Sequence, residues 1–168
     1  MDFREISVYE VPDNFFKRLS QDWMLLTVGA PGACNTMTAS WGQFGFLWNR
    51  PVATTYVRPQ RYTHEFIERE ERFSLSFFAP GEHRRALEVL GSKSGRDGDK
   101  IALAGLTVVD VDGVAGFEEA VLTLVCRKLY RQQMLPECFL DKAADEANYP
   151  NMDYHTIYIG EVEHVFVK

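Results

Sequence analysis

Arg58, Arg61 and Thr63 stand close together in the segment YVRPQRYTHEF (56–66). Pro59 ends the strand suggested by the β-branched and aromatic residues before it, and Thr63 falls where an N-cap hydroxyl would accept a bond from a first-turn N–H. The remaining free N–H groups and two guanidinium forks would suit a phosphate, because helix dipole and charge-assisted bonds act on the same anion. A plain capped helix with its arginines paired to Glu65 or Glu68 accounts for the same residues equally well. A second anion candidate is GSKSGRDGDK (91–100), which holds Ser94 and Lys100 among glycines and cations. Backbone N–H groups of such a loop can converge on an anion. It is not a P-loop, since Gly95 is followed by Arg96 rather than Lys. Taken alone, it is better explained as a solvated turn.

The stretch NTMTASWGQFGFLWNRP (35–51) carries no catalytic acid, base or thiol of its own. Its small and polar run, Asn35, Thr36, Met37, Thr38, Ala39 and Ser40, would let a flat ligand lie against a strand backbone, with Trp41 at the end of the run. Phe46 and Trp48 are expected to fill a core and a subunit contact. The histidines are scattered without metal-ligand spacing. His155 stands apart, in DYHTIYIGEV at the start of the last strand, because strand ends often present functional side chains. No G-x-G-x-x-G, H-E-x-x-H or G-x-S-x-G motif occurs, which removes the simplest dinucleotide-fold, metalloprotease and hydrolase readings.

These residues need elements to hold them. Strand-like runs fall at 5–11, 23–29, 36–44, 52–57, 73–79, 107–111, 120–133 and 156–167, with short helices at 14–21, 63–71 and 81–91. GAPGACN joins the second and third runs as a hairpin loop. Many strands linked by short helices predict a mainly β chain closed or nearly closed into a barrel. The length of 168 residues suits one domain spanning 1–168. No apolar run is long enough for a bilayer and no signal-peptide pattern opens the chain, so no membrane association and a cytoplasmic location are expected. A net charge of −6 argues against nucleic acid as a partner. Three widely spaced cysteines, Cys34, Cys126 and Cys138, suggest reduced thiols rather than a disulfide framework or a metal site.

In order and spacing, the blocks NTMTASWGQ, YVRPQRYTHEFI, SGRDGDKIALAGL and DYHTIYIGEV resemble the flavin reductase-like family of FMN-binding split barrels, particularly its flavoredoxin-like branch. The resemblance implies an antiparallel Greek-key split β-barrel with short connecting helices, usually a homodimer binding FMN. It implies that 35–41 lies against the flavin ring, with Asn35, Thr38 and Ser40 offering side-chain bonds. It further implies that Arg58, Arg61 and Thr63 hold the phosphate and that Ser94 and Lys100 close over the phosphate or ribityl chain. His155 then lies on the nicotinamide or substrate side; its block reads Asp-Tyr-His where many free-flavin reductases have Gly-Asp-His. The implied activity is hydride transfer from NAD(P)H to bound flavin and on to an acceptor. The alternatives are an electron carrier reduced by a protein partner, or an FMN-binding module without turnover.

Overall fold

The computed structural model describes residues 3–168. In chain order the strands are β1 (Arg4–Ile6), β2 (Met24–Val28), β3 (Asn35–Ala39), β4 (Gly42–Leu47), β5 (Arg50–Val57), β6 (Arg72–Phe77), β7 (Val108–Val111), β8 (Val114–Phe117), β9 (Leu122–Gln133) and β10 (Thr156–Val167). The α-helices are α1 (Phe15–Lys17), α2 (Tyr62–Arg69), α3 (Arg84–Ser92), α4 (Lys100–Ala104) and α5 (Lys142–Asn148). A π-helical turn, Arg18–Asp22, continues α1, so the helix expected over 14–21 is a composite.

The expected hairpin forms: β2 and β3 pair antiparallel from Met24↔Ala39 to Val28↔Asn35. The main sheet runs β3-β2-β6-β9-β10-β5-β4, with β1 added on β10 and β7-β8 forming a separate two-stranded sheet. This corrects the expectation of a Greek-key split β-barrel, because the hydrogen-bonded sheet is not closed. Its ends, β3 and β4, do not pair with each other although only Ser40 and Trp41 separate them. The run 36–44, expected as one strand, breaks there because its two halves have different partners. Ala39 pairs with Met24, whereas Gly42 pairs with Thr55. The two-residue link thus carries the chain from one sheet edge to the other without joining their ladders.

The sheet nevertheless bends around one core. Met24, Leu26, Ala53, Val57, Phe73, Leu75, Leu124, Cys126, Tyr158 and Val165 come from five different strands and meet in a single cluster. Bending is visible in β10, whose pairing with β9 shifts between Ile159 and Gly160. A Cβ on Gly160 would stand 2.8 Å from Phe73 Cζ, so only glycine allows this approach. The second core, Leu25, Phe78, Leu87, Leu90, Leu106 and Phe117, lies where α3 packs on the sheet. Two helices not expected from the hydrophobic pattern are set by aspartate caps. Asp99 accepts from Ile101 and Ala102 N–H at the start of α4, and Asp141 accepts from Ala143 and Ala144 N–H at the start of α5. Phe46 and Trp48 are exposed rather than core residues. No helix among the described residues is long and apolar enough to cross a membrane.

Candidate functional site

Two adjoining chambers lie beside the Ser40–Trp41 link. The inner one, about 210 Å³, is lined by Met37, Thr38, Ala39, Ser40, Trp41, Tyr56, Arg58, Arg61 and His155. The outer one, about 640 Å³, shares Ser40, Trp41 and Tyr56 and is otherwise walled by uncharged side chains that include Trp23, Phe139 and Tyr149. Eight of the residues singled out in the sequence therefore meet at one place, drawn from β3 and the link after it, the end of β5, the start of α2 and the start of β10. They meet because the β3–β4 link crosses the seam that the open sheet leaves.

The phosphate candidates divide. Arg61 lines the inner chamber; its Nη1 donates to Gly91 O at 2.6 Å and its Nη2 to Leu90 O at 3.4 Å. Lys100, 5% exposed, lies behind it and donates from Nζ to Leu90 O and Lys93 O. Both cations thus occupy the carbonyl end of α3, where a helix dipole favours positive charge. Burial lowers the Arg61 pKa, and burial with the nearby Arg61 charge brings Lys100 down to about 8. Among the described residues neither has a carboxylate partner; Glu65 pairs with Arg96 instead. Two desolvated cations facing only carbonyls are costly, and an anion beside them would offset that cost.

Arg58 is committed differently. It forms an ion pair with Asp153, donates to Asn148 O at 2.8 Å and lies over the Tyr149 ring. The Arg58 hydrogen bond, then that from Gln60, holds the Asp153 carboxyl below the usual carboxylate range. His155, buried at the chamber wall, has Trp41 at 5.1 Å between ring centroids and Tyr56 edge-on at 6.4 Å. Burial, and next the charge of Arg58, bring its pKa down to about 4, so the ring is neutral across the physiological range.

Besides Lys100, four expected residues lie outside the inner chamber. Thr36 is wholly buried and bonds Leu26 O and Thr27. Asn35 donates from Nδ2 to Thr63 Oγ1 at 2.7 Å. Thr63 is consequently an acceptor for Asn35 and does not cap α2: the cap position is Arg61, and no side chain caps the first N–H groups. Ser94 lies in the loop after α3, where its hydroxyl accepts from Arg96 N–H. That loop packs tightly, since a Cβ on Gly95 would come within 2.3 Å of Asn35 Oδ1. Asn35 and Lys100 line a further cavity of about 570 Å³ on the Cys34 and Tyr62 side. The cysteines are unpaired, and burial raises the Cys34 thiol. Sequence reasoning passed over Tyr56 and Tyr149, and met Asp153 only as a departure from the family's block, without a role. Tyr56 was signalled by its place two residues before Arg58, on the same side of an extended chain.

Residues 16–168 match the family described as "Flavin reductase like domain", and the chain belongs to that family. Its fold is similar to that of an FMN-binding domain of a flavin reductases-like enzyme from Shewanella baltica. The TM-score is 0.70 at 16% identity, covering 99% of this chain and 77% of that one. An FMN-binding protein from Thermus thermophilus, solved with bound 1-cyclohex-2-enone, is 25% identical with a TM-score of 0.63, covering 86% of this chain and 69% of that one. Flavoredoxin of Desulfovibrio vulgaris is 21% identical with a TM-score of 0.67, covering 88% and 70%. No curated protein matches significantly.

Proposed function

We propose that this chain is an FMN-binding oxidoreductase of flavin reductase type. The observation that carries the reading is the pair Arg61 and Lys100, a half-buried and a buried cation without a carboxylate partner among the described residues, the first in the wall of a chamber that the small and polar run of β3 shares with Trp41, Tyr56 and His155. Family membership supports the same cofactor. The residues present fit FMN in three respects. Arg61 and Lys100 suit a terminal phosphate dianion, the uncapped start of α2 offers N–H groups to the same anion, and Met37–Ser40 leave a narrow slot for a flat ring.

When bound, FMN would accept a hydride from NAD(P)H and pass electrons to an acceptor. The chain's own part is to bind and to exclude water. Arg61 and Lys100 hold negative charge at one end. Trp41 and Tyr56 form apolar walls shared by both chambers. Neutral His155 offers polar contact at the inner chamber without adding charge there. The uncharged lining of the outer chamber suits a small neutral acceptor such as the cyclohexenone held by the Thermus protein. The site therefore needs no side-chain acid or base of ordinary pKa.

Titration with FMN tests the reading: stoichiometric uptake is expected, with quenching of Trp41 fluorescence that disappears in Trp41→Phe. Absence of FMN uptake by the folded protein would contradict it.

A further inference from the structure

The connection from β9 to β10 places a second aromatic against His155. Tyr149, at the end of α5, has its hydroxyl 2.8 Å from His155 Nδ1 and 3.4 Å from Met134 Sδ. Its ring is stacked on Tyr154 at 4.7 Å between centroids and has the Arg58 guanidinium 5.1 Å from its centroid. Tyr154 in turn donates to Asp145 Oδ1 on α5. On the other side, His155 O accepts from Met134 N–H at 2.9 Å. Ring and backbone of His155 are thus both anchored by the same connection. Met134 and Tyr149 belong to the outer chamber, whereas the His155 ring faces the inner one.

The phenol has one proton and two neighbours able to accept it. An imidazole nitrogen is a far better acceptor than a thioether, which is only weak. Burial raises the Tyr149 pKa, so the hydroxyl keeps its proton, and the cation over the ring strengthens it as a donor. Donation to Nδ1 leaves the ring's own proton on Nε2. Among the described residues Nε2 has no hydrogen-bond partner, and His155 lines the inner chamber. We propose that Tyr149 is a positioning residue that fixes His155 in the Nε2–H tautomer, making it a neutral hydrogen-bond donor to a carbonyl oxygen entering the inner chamber. The chamber's place in the reaction rests on the proposed function; the tautomer does not.

On balance the surroundings of His155 favour the neutral ring. Arg58 at the end of β5 repels an imidazolium and outweighs the opposite pull of Asp153, whose Oδ2 is taken by Arg58 and Gln60, while Tyr56 and Trp41 present aromatic surface. A donor that never titrates in the working range discriminates by geometry. It binds a carbonyl oxygen at any ordinary pH and rejects an analogue that lacks one, because the N–H, once covered by that analogue, would be left unpaired.

Long-range proton–nitrogen NMR of the FMN-free protein tests this without any flavin. The expected spectrum at neutral pH shows His155 with a protonated Nε2 and a bare, hydrogen-bonded Nδ1. Tyr149→Phe, which retains the ring stacked on Tyr154, is expected to give a mixture of tautomers and to raise the proton affinity of His155 by about three- to tenfold, the equivalent of one neutral hydrogen bond. A wild-type ring protonated on Nδ1, or one averaging between tautomers, overturns the proposal. So does a Tyr149→Phe spectrum identical to the wild type. Should Tyr149→Phe not fold, the wild-type spectrum alone decides. FMN uptake, measured separately on the same sample, reports on the proposed function independently.

Discussion

Arg61→Ala separates a phosphate-binding cation from a structural one. The wild-type guanidinium donates to Gly91 O and Leu90 O and has no carboxylate partner among the described residues. Removing it deletes one charge-assisted bond to the FMN phosphate, a loss of about 1.5–3 kcal/mol, so FMN affinity should fall roughly ten- to a hundredfold. Riboflavin lacks the phosphate, and its affinity should be nearly unchanged. Two effects on the free protein oppose each other. The carbonyl end of α3 loses a favourable cation, costing about 0.3–1 kcal/mol, while Lys100 is relieved of a neighbouring like charge. The thermal midpoint of the FMN-free protein should therefore move little. Calorimetric titration of both flavins into wild type and variant provides the assay. Equal FMN affinities would refute the phosphate role, and equal losses for FMN and riboflavin would indicate a damaged fold.

Lys100 gives a prediction with a pH sign. Its pKa falls from 10.5 to about 8 on folding, so the unfolded chain binds more protons between those values and stability rises with pH across that window. Lys100→Met should flatten the rise, stabilise the FMN-free protein at neutral pH by up to about 3 kcal/mol and weaken FMN binding. Denaturant titrations below and above the window check this; loss of stability at neutral pH would contradict the uncompensated charge. A homodimer is the expected assembly. The edge strand β4 and its turn expose Phe46 at 62% and Trp48 at 54%, with Tyr130 edge-on to Trp48. Sedimentation of the FMN-loaded protein as a monomer at micromolar concentration would exclude it.

The parts legible in the sequence were those written locally. The β2–β3 hairpin follows from two apolar runs about a Pro/Gly loop, and the slot of 37–41 from a run of small and polar types. The break at Ser40–Trp41 was not legible, because strand pairing is decided by remote partners: 36–44 reads as one run until Met24 and Thr55 claim its two halves. Thr63 misled for a related reason. Its hydroxyl type signals a cap, yet Asn35, remote in sequence, takes it, and Tyr62 joins the helix edge-on to Phe66. The roles of Tyr149 and Asp153 were missed because their importance lies in contacts with His155 and Arg58. Nothing in the 134–155 connection marks those contacts by spacing.

Anaerobic addition of NADH or NADPH to the FMN-loaded protein, with the flavin absorbance followed, decides whether the bound flavin is reduced by a nicotinamide. Bleaching by at least one of the two nucleotides is expected, with recovery of the absorbance when an acceptor is added. FMN that is bound at the site yet stays oxidised with both nucleotides would contradict the oxidoreductase reading and leave a carrier reduced by a protein partner, or a binding module, in its place.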